Sequence, residues 1–327
     1  MKLLILDFGG TSVKYATIRE DGTFIEAGKK AAPLASKMQF LQTATEIYEQ
    51  YKHEIQGVSI SIPGYVDASS GLLIGSGAYR KLYGCNIIEL LHETIPVNIA
   101  VENDGKCGAL AEGWRGALAD GGSGVVLILG SGIAGGILQN GRIYAGDRLA
   151  AAEFSNYLVK PDDPTFRGLA VMNCAAFGLT YKLCKAKNLD FSYQDYAEEL
   201  KNTDAAFGHI YPPMSLPPKR IKADGKQLSE WINEGDMQAK RVYDEFISSL
   251  AFLIFNIQIT LAPQKIVVGG GLSRLPGMIE CTQTRLREIY RTTGVGRELQ
   301  AEVVRSKYLD ECNLVGAAYN YILRFPQ

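Results

Sequence analysis

In the first third of the chain, the spacing of hydrophobic and polar residues predicts strands that alternate with helices. An apolar run at Lys2–Phe8 predicts a buried strand. Alternating residues at Val13–Arg19 and Thr23–Ala27, with an Asp21-Gly22 turn signal between them, predict a hairpin. The further elements predicted in this part are helices at 36–52 and 104–115 and strands at Gly57–Ile62 and Pro96–Val101. A hairpin followed by alternating strands and helices is typical of an α/β protein.

The pattern starts again at Gly121. Gly124–Leu129 predicts a buried strand, and Asn140-Gly141 predicts a hairpin turn between Gly136–Gln139 and Arg142–Tyr144. The later predicted elements are helices at about 168–187, 193–201, 226–261, Leu275–Arg291 and Cys312–Leu323, and strands at Lys265–Val268 and Glu302–Arg305. The two halves therefore show a weak internal duplication of pattern. The segment Tyr211–Pro218 holds four of the twelve prolines, which predicts an inserted surface loop.

Composition narrows the class of protein. The chain has 327 residues, 46% of them hydrophobic, and a net charge of −1. These values predict roughly two globular domains and exclude a disordered chain or one that binds nucleic acid through its overall charge. The six cysteines form no CxxC pair, which favours reduced thiols.

The chain shows no targeting or membrane signal. The N-terminus lacks the apolar stretch of a signal peptide. The longest apolar candidate for a membrane span, Phe246–Leu261, is interrupted by serines, Asn256 and Gln258. We therefore expect a cytoplasmic protein that has no membrane partner.

Glycine is in excess, at 35 residues, and three clusters of it follow predicted strands. The first cluster, Asp7-Phe8-Gly9-Gly10-Thr11 with Lys14 after it, places an acid and a tight turn at the end of a strand. Bare backbone amides in such a turn bind phosphate, and an acid beside them is typical of a Mg²⁺ site. An ordinary β-turn capped by the Asp side chain explains the same residues, and the local sequence favours neither interpretation.

The second cluster, Gly130–Gly136, matches the G-x-G-x-x-G dinucleotide fingerprint and follows a strand. The fingerprint requires a helix directly after the glycines, whereas Ile137–Ile143 has a hairpin pattern. The helix that a dinucleotide-binding fold needs at this point is therefore missing from the predicted elements. A phosphate-binding turn between two strands remains. The third cluster, Gly269–Gly271, leaves room for a flat ligand such as a nucleoside, but on its own it is better explained as a permissive loop.

Glu102-Asn103-Asp104 lies where a predicted strand passes into a helix. Asp104 is here either the N-cap of that helix or a general base beside a phosphate site, and Asn103 offers a donor and an acceptor to a polar substrate. Three glycine turns and acids at strand ends fit phosphoryl transfer, in which the enzyme positions the reactants and orients the attacking hydroxyl. The sequence contains no Walker A loop and no G-x-S-x-G motif.

Taken in order, these motifs resemble the ROK family of sugar kinases and sugar-responsive repressors. The resemblance extends from residue 2 to about 320 and rests on Asp7–Lys14, Pro63-Gly64 with Asp67 and Gly71, Glu102–Asp104 with Ala109–Glu112, Leu129–Ile133 with Asn140-Gly141 and Gly146, Ile266–Gly271 and Leu314–Ala318. It implies an actin-like ATPase or ribonuclease-H-like α/β fold of two lobes with a central cleft. The small lobe would be 1–115, with the C-terminal helix at about 306–327 packed on it, and the large lobe 116–305.

The resemblance also implies residue roles. ATP would contact Asp7, Gly9, Gly10, Thr11, Lys14, Gly130, Ser131, Gly132, Gly269, Gly270 and Gly271. Asp7 would hold the Mg²⁺ that accompanies ATP, if need be through water. Asp104 matches the catalytic base, which takes the proton from a sugar hydroxyl as it attacks the γ-phosphate. The sugar would contact Gly64, Asn103, Asp104, Glu153, Asn156 and Asn173.

The chain departs from the family pattern on the sugar side. A Glu-x-Gly-His element of the family is here Glu153-Phe-Ser-Asn156, and a cysteine-rich zinc element is reduced to Cys174. Asn173 stands in place of a sugar-binding Glu, while Lys81 and Cys85 align with an Asn and a Trp that are common in the family. We therefore expect no zinc. Turn capping explains Asn156 and Asn173 equally well, and Lys81 is better explained as a solvated loop residue.

The sequence thus predicts an enzyme, an ATP- and Mg²⁺-dependent kinase of a hexose or hexosamine that is similar to glucokinases. The resemblance favours a homodimer, and no nucleic-acid partner is expected. The alternative is a sugar-binding regulator or a weakly active relative. We expect no DNA-binding helix-turn-helix, since the first strand begins at residue 2. An oxidoreductase that uses a nicotinamide cofactor has only the glycine fingerprint in its favour.

Overall fold

The computed structural model describes residues 1–10, 12–75, 77–121, 123–189 and 225–326. Its strands are β1 (Lys2–Phe8), β2 (Ser12–Arg19), β3 (Phe24–Ala31), β4 (Gly57–Ile62), β5 (Tyr65–Asp67), β6 (Leu72–Gly75), β7 (Asn98–Asn103), β8 (Gly124–Leu129), β9 (Ile133–Gln139), β10 (Arg142–Ile143), β11 (Lys265–Gly269) and β12 (Glu302–Arg305). Its helices are α1 (Lys37–Tyr51), α2 (Ile87–His92), α3 (Asp104–Arg115), α4 (Ala170–Cys174), α5 (Ala176–Ala186), α6 (Gly225–Asn233), α7 (Met237–Leu261), α8 (Met278–Thr293) and α9 (Cys312–Arg324). Thr11, the predicted helix 193–201 and the predicted loop 211–218 lie outside the described residues.

Contacts divide the chain into two compact units. Unit 1 comprises Met1–Gly122, Gly135–Ala152 and Asp310–Gln327. Unit 2 comprises Ser123–Ala134 and Glu153–Leu309. The division follows contacts within each unit, and the lobe boundaries expected from the sequence stay a prediction.

Unit 1 is built on a five-stranded sheet with the order β3-β2-β1-β4-β7. β1 pairs with β2 antiparallel and with β4 parallel, and β4 pairs with β7 parallel. Alternate residues of β1 pack into two cores: Leu4, Leu6 and Phe8 with residues of α1 and α2, and Leu3 and Ile5 with residues of α3 and α9. Because both faces of β1 are covered, its sequence is an apolar run rather than an alternating one.

The second five-stranded sheet has the order β10-β9-β8-β11-β12. Its strands β8, β11 and β12 are parallel and belong to unit 2. The long helix α7 also belongs to unit 2. By length and hydropathy alone α7 could span a membrane, but half of its most apolar window is buried inside the protein, as in the core helix of a globular domain.

Several strands and one helix have the predicted bounds, among them β1, β4, β8, β12 and α3. The single helix predicted at 226–261 is wrong, because Gly235 has a positive φ and Asp236 caps the start of α7. The helix predicted at about 168–187 is likewise divided, at Ala175, whose backbone is extended. The pattern missed β5, β6 and α2, which are short.

Candidate active site

A row of polar residues crosses the sheet of unit 1 near the carboxyl end of β1. The strand register pairs Lys14 with Asp7, Asp7 with Ser61, and Ser61 with Glu102. Paired residues of neighbouring strands project from the same face of a sheet. The row therefore lies on the face that α3 and α9 cover, where burying polar groups is unfavourable unless they are hydrogen-bonded. Such a row points to a functional site.

Asp7 is held at the centre of this row. Its Oδ1 accepts hydrogen bonds from Ser61 Oγ at 2.7 Å and from Asn313 Nδ2 at 3.3 Å. Burial raises the pKa of Asp7, and the hydrogen bond from Ser61 and the positive charge of Lys14 oppose this rise. A buried carboxylate of this kind is stabilised by a cation, and oxygen ligands are those that Mg²⁺ prefers.

The turn after β1 joins Asp7 to the hairpin strand β2. The Gly9 amide donates to the carbonyls of Asp7 at 3.2 Å and Ser12 at 3.0 Å. The Gly9 carbonyl accepts from the Tyr79 hydroxyl at 2.9 Å. The two glycines thus form a fixed turn directly beside the buried carboxylate, whereas Thr11 lies outside the described residues.

Asn103, not Asp104, is the N-cap of α3. β7 continues past the predicted end at Val101 to include Asn103, whose Oδ1 accepts from the Lys106 amide at 3.0 Å. Its Nδ2 donates to the Gly64 carbonyl at 2.9 Å and to Asp104 Oδ1 at 3.1 Å. The N-cap interpretation of Asp104 is therefore wrong, because the preceding Asn has the extended backbone that a cap requires.

Asp104 is the first residue of α3, and its side chain is half-buried. Its Oδ1 also accepts from the Gly105 amide at 2.8 Å, so both described contacts fall on one carboxylate oxygen. Burial, and next the negative charge of Asp7, raise the pKa of Asp104 to about 6. A carboxylate with a raised pKa that is still ionised at neutral pH is a better general base than an ordinary one.

Two charged residues beside Asp104 were assigned no role from the sequence. Glu102 is 6% exposed and accepts from the Asn103 amide at 2.7 Å, and burial raises its pKa to about 7. Lys106 is 2% exposed, and its Nζ donates to the Leu149 carbonyl at 2.9 Å. The opposite charge of Lys106 lowers the pKa of Glu102 against the effect of burial.

In unit 2, the turn Gly130–Gly132 is hydrogen-bonded to the start of α5. The carbonyls of Gly130 and Ser131 accept from the Ala176 amide at 2.9 Å and the Phe177 amide at 3.3 Å. The Gly130 amide donates to the Gly132 carbonyl at 2.9 Å. The turn therefore has a defined shape, and Ser131 is exposed at its tip.

The third glycine cluster combines tight packing with an open surface. Gly270 has a φ of +82°, and a Cβ on it would lie 2.6 Å from the Leu129 carbonyl oxygen, so only glycine fits. A Cβ on Gly269 would lie 2.7 Å from Ser306 Cβ. A Cβ on Gly271 would meet nothing within 4 Å. Gly271 thus has space for a ligand, whereas Gly269 and Gly270 are required by packing.

The later glycines of the G-x-G-x-x-G match serve a different purpose, within unit 1. A Cβ on Gly105, in the first turn of α3, would lie 2.2 Å from the Gly135 amide nitrogen. A Cβ on Gly136 would lie 2.4 Å from Ala109 Cβ. Gly135 and Gly136 therefore let α3 pack closely on β9, so this part of the fingerprint serves packing.

The residues expected on the sugar side differ in their exposure. Glu153 is half-buried just before a short 3₁₀ helix, Phe154–Asn156, and Asn156 is exposed. Asn173 is 2% exposed. Its Nδ2 donates to the carbonyls of Arg167 and Leu169, both at 2.8 Å, and its Oδ1 accepts from Lys182 Nζ at 2.9 Å. The amide of Asn173 therefore fastens α4 to its surroundings.

Among the described residues, no three His, Cys, Asp or Glu side chains lie close enough to hold a metal ion between them. The Cys174 thiol is buried, and burial raises its pKa against the opposing positive charges of Lys182 and Lys160. The expected absence of zinc stays a prediction.

A model of the ROK family matches residues 3–322. The chain belongs to the ROK family. It is 27% identical to a β-glucoside kinase from Listeria innocua over 98% of each chain, and 25% identical to a glucokinase from Thermotoga maritima over 97% of this chain and 96% of the relative. A glucokinase of the family from Streptomyces griseus, solved with glucose and AMPPNP, has the same fold, with a TM-score of 0.74, 21% identity and coverage of 97% and 98% of the two chains.

The family and the actin-like fold expected from the sequence are thereby confirmed. Within unit 1 the structure brings together Asp7, Gly9, Gly64, Asn103 and Asp104 through the contacts described above. Within unit 2 it joins the Gly130–Gly132 turn to α5 and sets Gly270 against β8. The roles assigned to these residues stay predictions.

Proposed function

We propose that this ROK-family chain is an ATP-dependent sugar kinase in which Asp104 is the catalytic base. The observation that carries the proposal is a pair of carboxyl groups beside the Gly9–Gly10 turn, the buried Asp7 and the half-buried Asp104, in which the charge of Asp7 raises the pKa of Asp104. The curated relatives named above are sugar kinases, which supports the same activity. The alternative of a sugar-binding regulator has no comparable support.

In this mechanism Asp104 accepts the proton of the attacking sugar hydroxyl. Asn103 holds the carboxylate in place, since its Nδ2 donates to Asp104 Oδ1 while its Oδ1 caps α3. With its pKa raised to about 6, Asp104 is mostly ionised at neutral pH and can take the proton. The rest of the site would place the sugar hydroxyl in line with the γ-phosphate of ATP and stabilise the negative charge of the phosphates.

The phosphate side is assigned to backbone amides of glycine turns. We assign Gly9, Gly10, Thr11 and Lys14 to one phosphate segment, and Gly130, Ser131 and Gly132 to the other. Adenosine would lie against Gly269–Gly271, where Gly271 leaves open space. Bound Mg²⁺ neutralises phosphate charge, and the buried carboxylate of Asp7 fits as its holder, directly or through water. Metal analysis of the purified protein is expected to find no stoichiometric zinc.

The acceptor is proposed to be a glucose-configured sugar, either free or as a β-glucoside. β-Glucoside kinases from two Listeria species and from Klebsiella pneumoniae match this chain at 26–27% identity over 98% of its length. N-acetyl-D-glucosamine kinases match at 23–24%, so hexosamines belong in the test. The residues assigned to the sugar are Gly64, Asn103, Asp104, Glu153, Asn156 and Asn173.

An ADP-release assay on a panel of sugars tests the proposal. The panel contains glucose, mannose, fructose, N-acetylglucosamine, N-acetylmannosamine and β-glucosides such as cellobiose, each with ATP and Mg²⁺. Turnover on at least one glucose-configured sugar is expected. Thermal stabilisation by a sugar without ADP release would instead support the regulator.

We also propose that the protein is a cytoplasmic homodimer without nucleic-acid or membrane partners. Light scattering of the purified protein measures its mass and tests the dimer.

A further inference from the structure

The peptide between Gly9 and Gly10 has no side chain on either side to fix its orientation. Glycine tolerates a wide range of backbone angles, so such a peptide can rotate about its long axis at little energetic cost. The hydrogen bond from the Gly9 amide to the Ser12 carbonyl closes the turn but does not act on the next peptide plane. Within the part of the chain that the structure describes, the Tyr79 hydroxyl holds this plane by donating to the Gly9 carbonyl oxygen at 2.9 Å.

Tyr79 is itself rigidly placed. It is 1% exposed, and its ring packs edge-on against Phe8 and Phe40, at centroid distances of 5.8 and 6.0 Å. Phe8 and Phe40 are 4.4 Å apart, so the three rings form one cluster in the core of unit 1. Burial and the charge of Asp7 raise the pKa of Tyr79, which keeps the hydroxyl protonated as a donor. The neighbouring Ala78 Cβ lies 3.7 Å from the Cβ position of Gly10, behind the same turn.

In a trans peptide the carbonyl oxygen and the following amide hydrogen point in opposite directions. The described peptide bonds contain no cis form. Since the Gly9 carbonyl points to the buried Tyr79 hydroxyl, the Gly10 N–H points away from the aromatic cluster. That orientation presents the amide as a donor to an anion outside the turn.

We propose that Tyr79 is a positioning residue that locks the Gly9–Gly10 peptide with the Gly10 amide directed at the phosphates of ATP. This rests on the proposed kinase function. Tyr79 touches neither substrate in this account and acts through the turn. It lies in the loop that joins β6 to α2, far along the sequence from the glycines that it orients.

Tyr79→Phe tests the proposal because it keeps the ring and removes only the hydroxyl. Losing one hydrogen bond to the turn is expected to raise the KM for ATP about three- to tenfold. The KM for the sugar is expected to change less than about twofold, because the ring cluster and Asp104 are untouched. The matched control is Tyr243→Phe in unit 2, which removes a buried hydroxyl that donates to the Pro276 carbonyl at 2.7 Å. The control is expected to lower Tm and leave the KM for ATP unchanged.

An unchanged KM for ATP in folded Tyr79→Phe overturns the proposal, as does an equal rise in both substrates' KM values. If Tyr79→Phe does not fold, Phe40→Leu replaces it in the test. Phe40→Leu keeps the Tyr79 hydroxyl but loosens the packing of the Tyr79 ring. A rise in the KM for ATP alone is again required. A wild-type protein that is inactive on every sugar refutes the kinase function itself. The two failures are therefore distinguishable.

Discussion

Replacing Asp104 by Asn separates the charge of this carboxyl from its packing. The Asn side chain keeps an oxygen that can accept from the Gly105 amide and from Asn103 Nδ2, now 2.8 and 3.1 Å from Asp104 Oδ1. It removes the negative charge and the capacity to take a proton. If Asp104 is the base, kcat should fall about 10²- to 10⁴-fold. Turnover close to that of the wild type would refute the assignment.

The same substitution should stabilise the folded protein at alkaline pH. The pKa of Asp104 rises from 3.8 to about 6 on folding, and each unit is worth about 1.4 kcal/mol. Because the folded pKa is the higher one, folding favours the neutral carboxyl. The stability that this provides is present below pH 4 and is lost as the pH rises through 6. At pH 8 the ionised carboxylate therefore destabilises the fold by about 3 kcal/mol, which Asp104→Asn removes.

Thermal unfolding between pH 4 and 8.5 measures this effect. Asp104→Asn should unfold about 4 °C above the wild type at pH 8, and the two should converge near pH 4. The control is Asp67→Asn, also in unit 1, since hydrogen bonds from Ser69 and Ser70 lower the pKa of Asp67. That variant should be less stable than the wild type at neutral pH and converge with it as the pH falls. A gain in Asp104→Asn that does not vary with pH would show that charge burial is not its cause.

Three further predictions concern pairs of residues or the pH profile. Gly270→Ala should lower Tm, because the new Cβ would lie 2.6 Å from the Leu129 carbonyl oxygen. Gly271→Ala should leave Tm unchanged, because its Cβ meets nothing within 4 Å, and should raise the KM for ATP in steady-state kinetics. Asn173→Ala should lower Tm by several degrees, since three hydrogen bonds inside unit 2 are lost, while the exposed Asn156→Ala should change only the KM for the sugar. In the wild type, kcat/KM should fall as the pH drops below about 6, where Asp104 takes up a proton, and a flat profile to pH 5 would contradict this.

The strands of the two sheets were predictable because burial alone determines their pattern. β1 and β4 lie between two covered faces, so each consists mainly of apolar residues and is followed by a glycine or proline turn. β8 and α3 also have the bounds that their apolar patterns predicted. The prediction of one continuous helix failed for α6 and α7, because the positive φ of Gly235 and the N-cap Asp236 divide the two helices.

The site was predictable only where its residues are neighbours in the sequence. Asp7 with Gly9–Gly10, and Asn103 with Asp104, are local motifs. The sequence does not show whether Asn103 or Asp104 caps α3, because Asn and Asp are both good N-caps. The residue at which β7 ends decides between them.

The partners of Asp7 depend on tertiary contacts. Ser61 lies 54 residues from Asp7 and Asn313 lies 306 residues away. A weak signal existed for Ser61, because Ser59 and Ser61 alternate within an otherwise apolar strand and so share a face. For Tyr79, which orients Gly9 across 70 residues, the sequence offered no signal.

The polar row of unit 1 shows why stability and activity should oppose each other in this protein. Asp7, Glu102 and Asp104 are carboxyl groups of one unit, and burial raises the pKa of each. The negative charge of Asp7 also disfavours the ionisation of Asp104, and that of Asp67 disfavours the ionisation of Glu102. A fold selected for stability alone would place neutral side chains at these positions. The charges are useful only when a cation and a transferable proton enter the site, so variants that neutralise Asp104 should fold better and catalyse less.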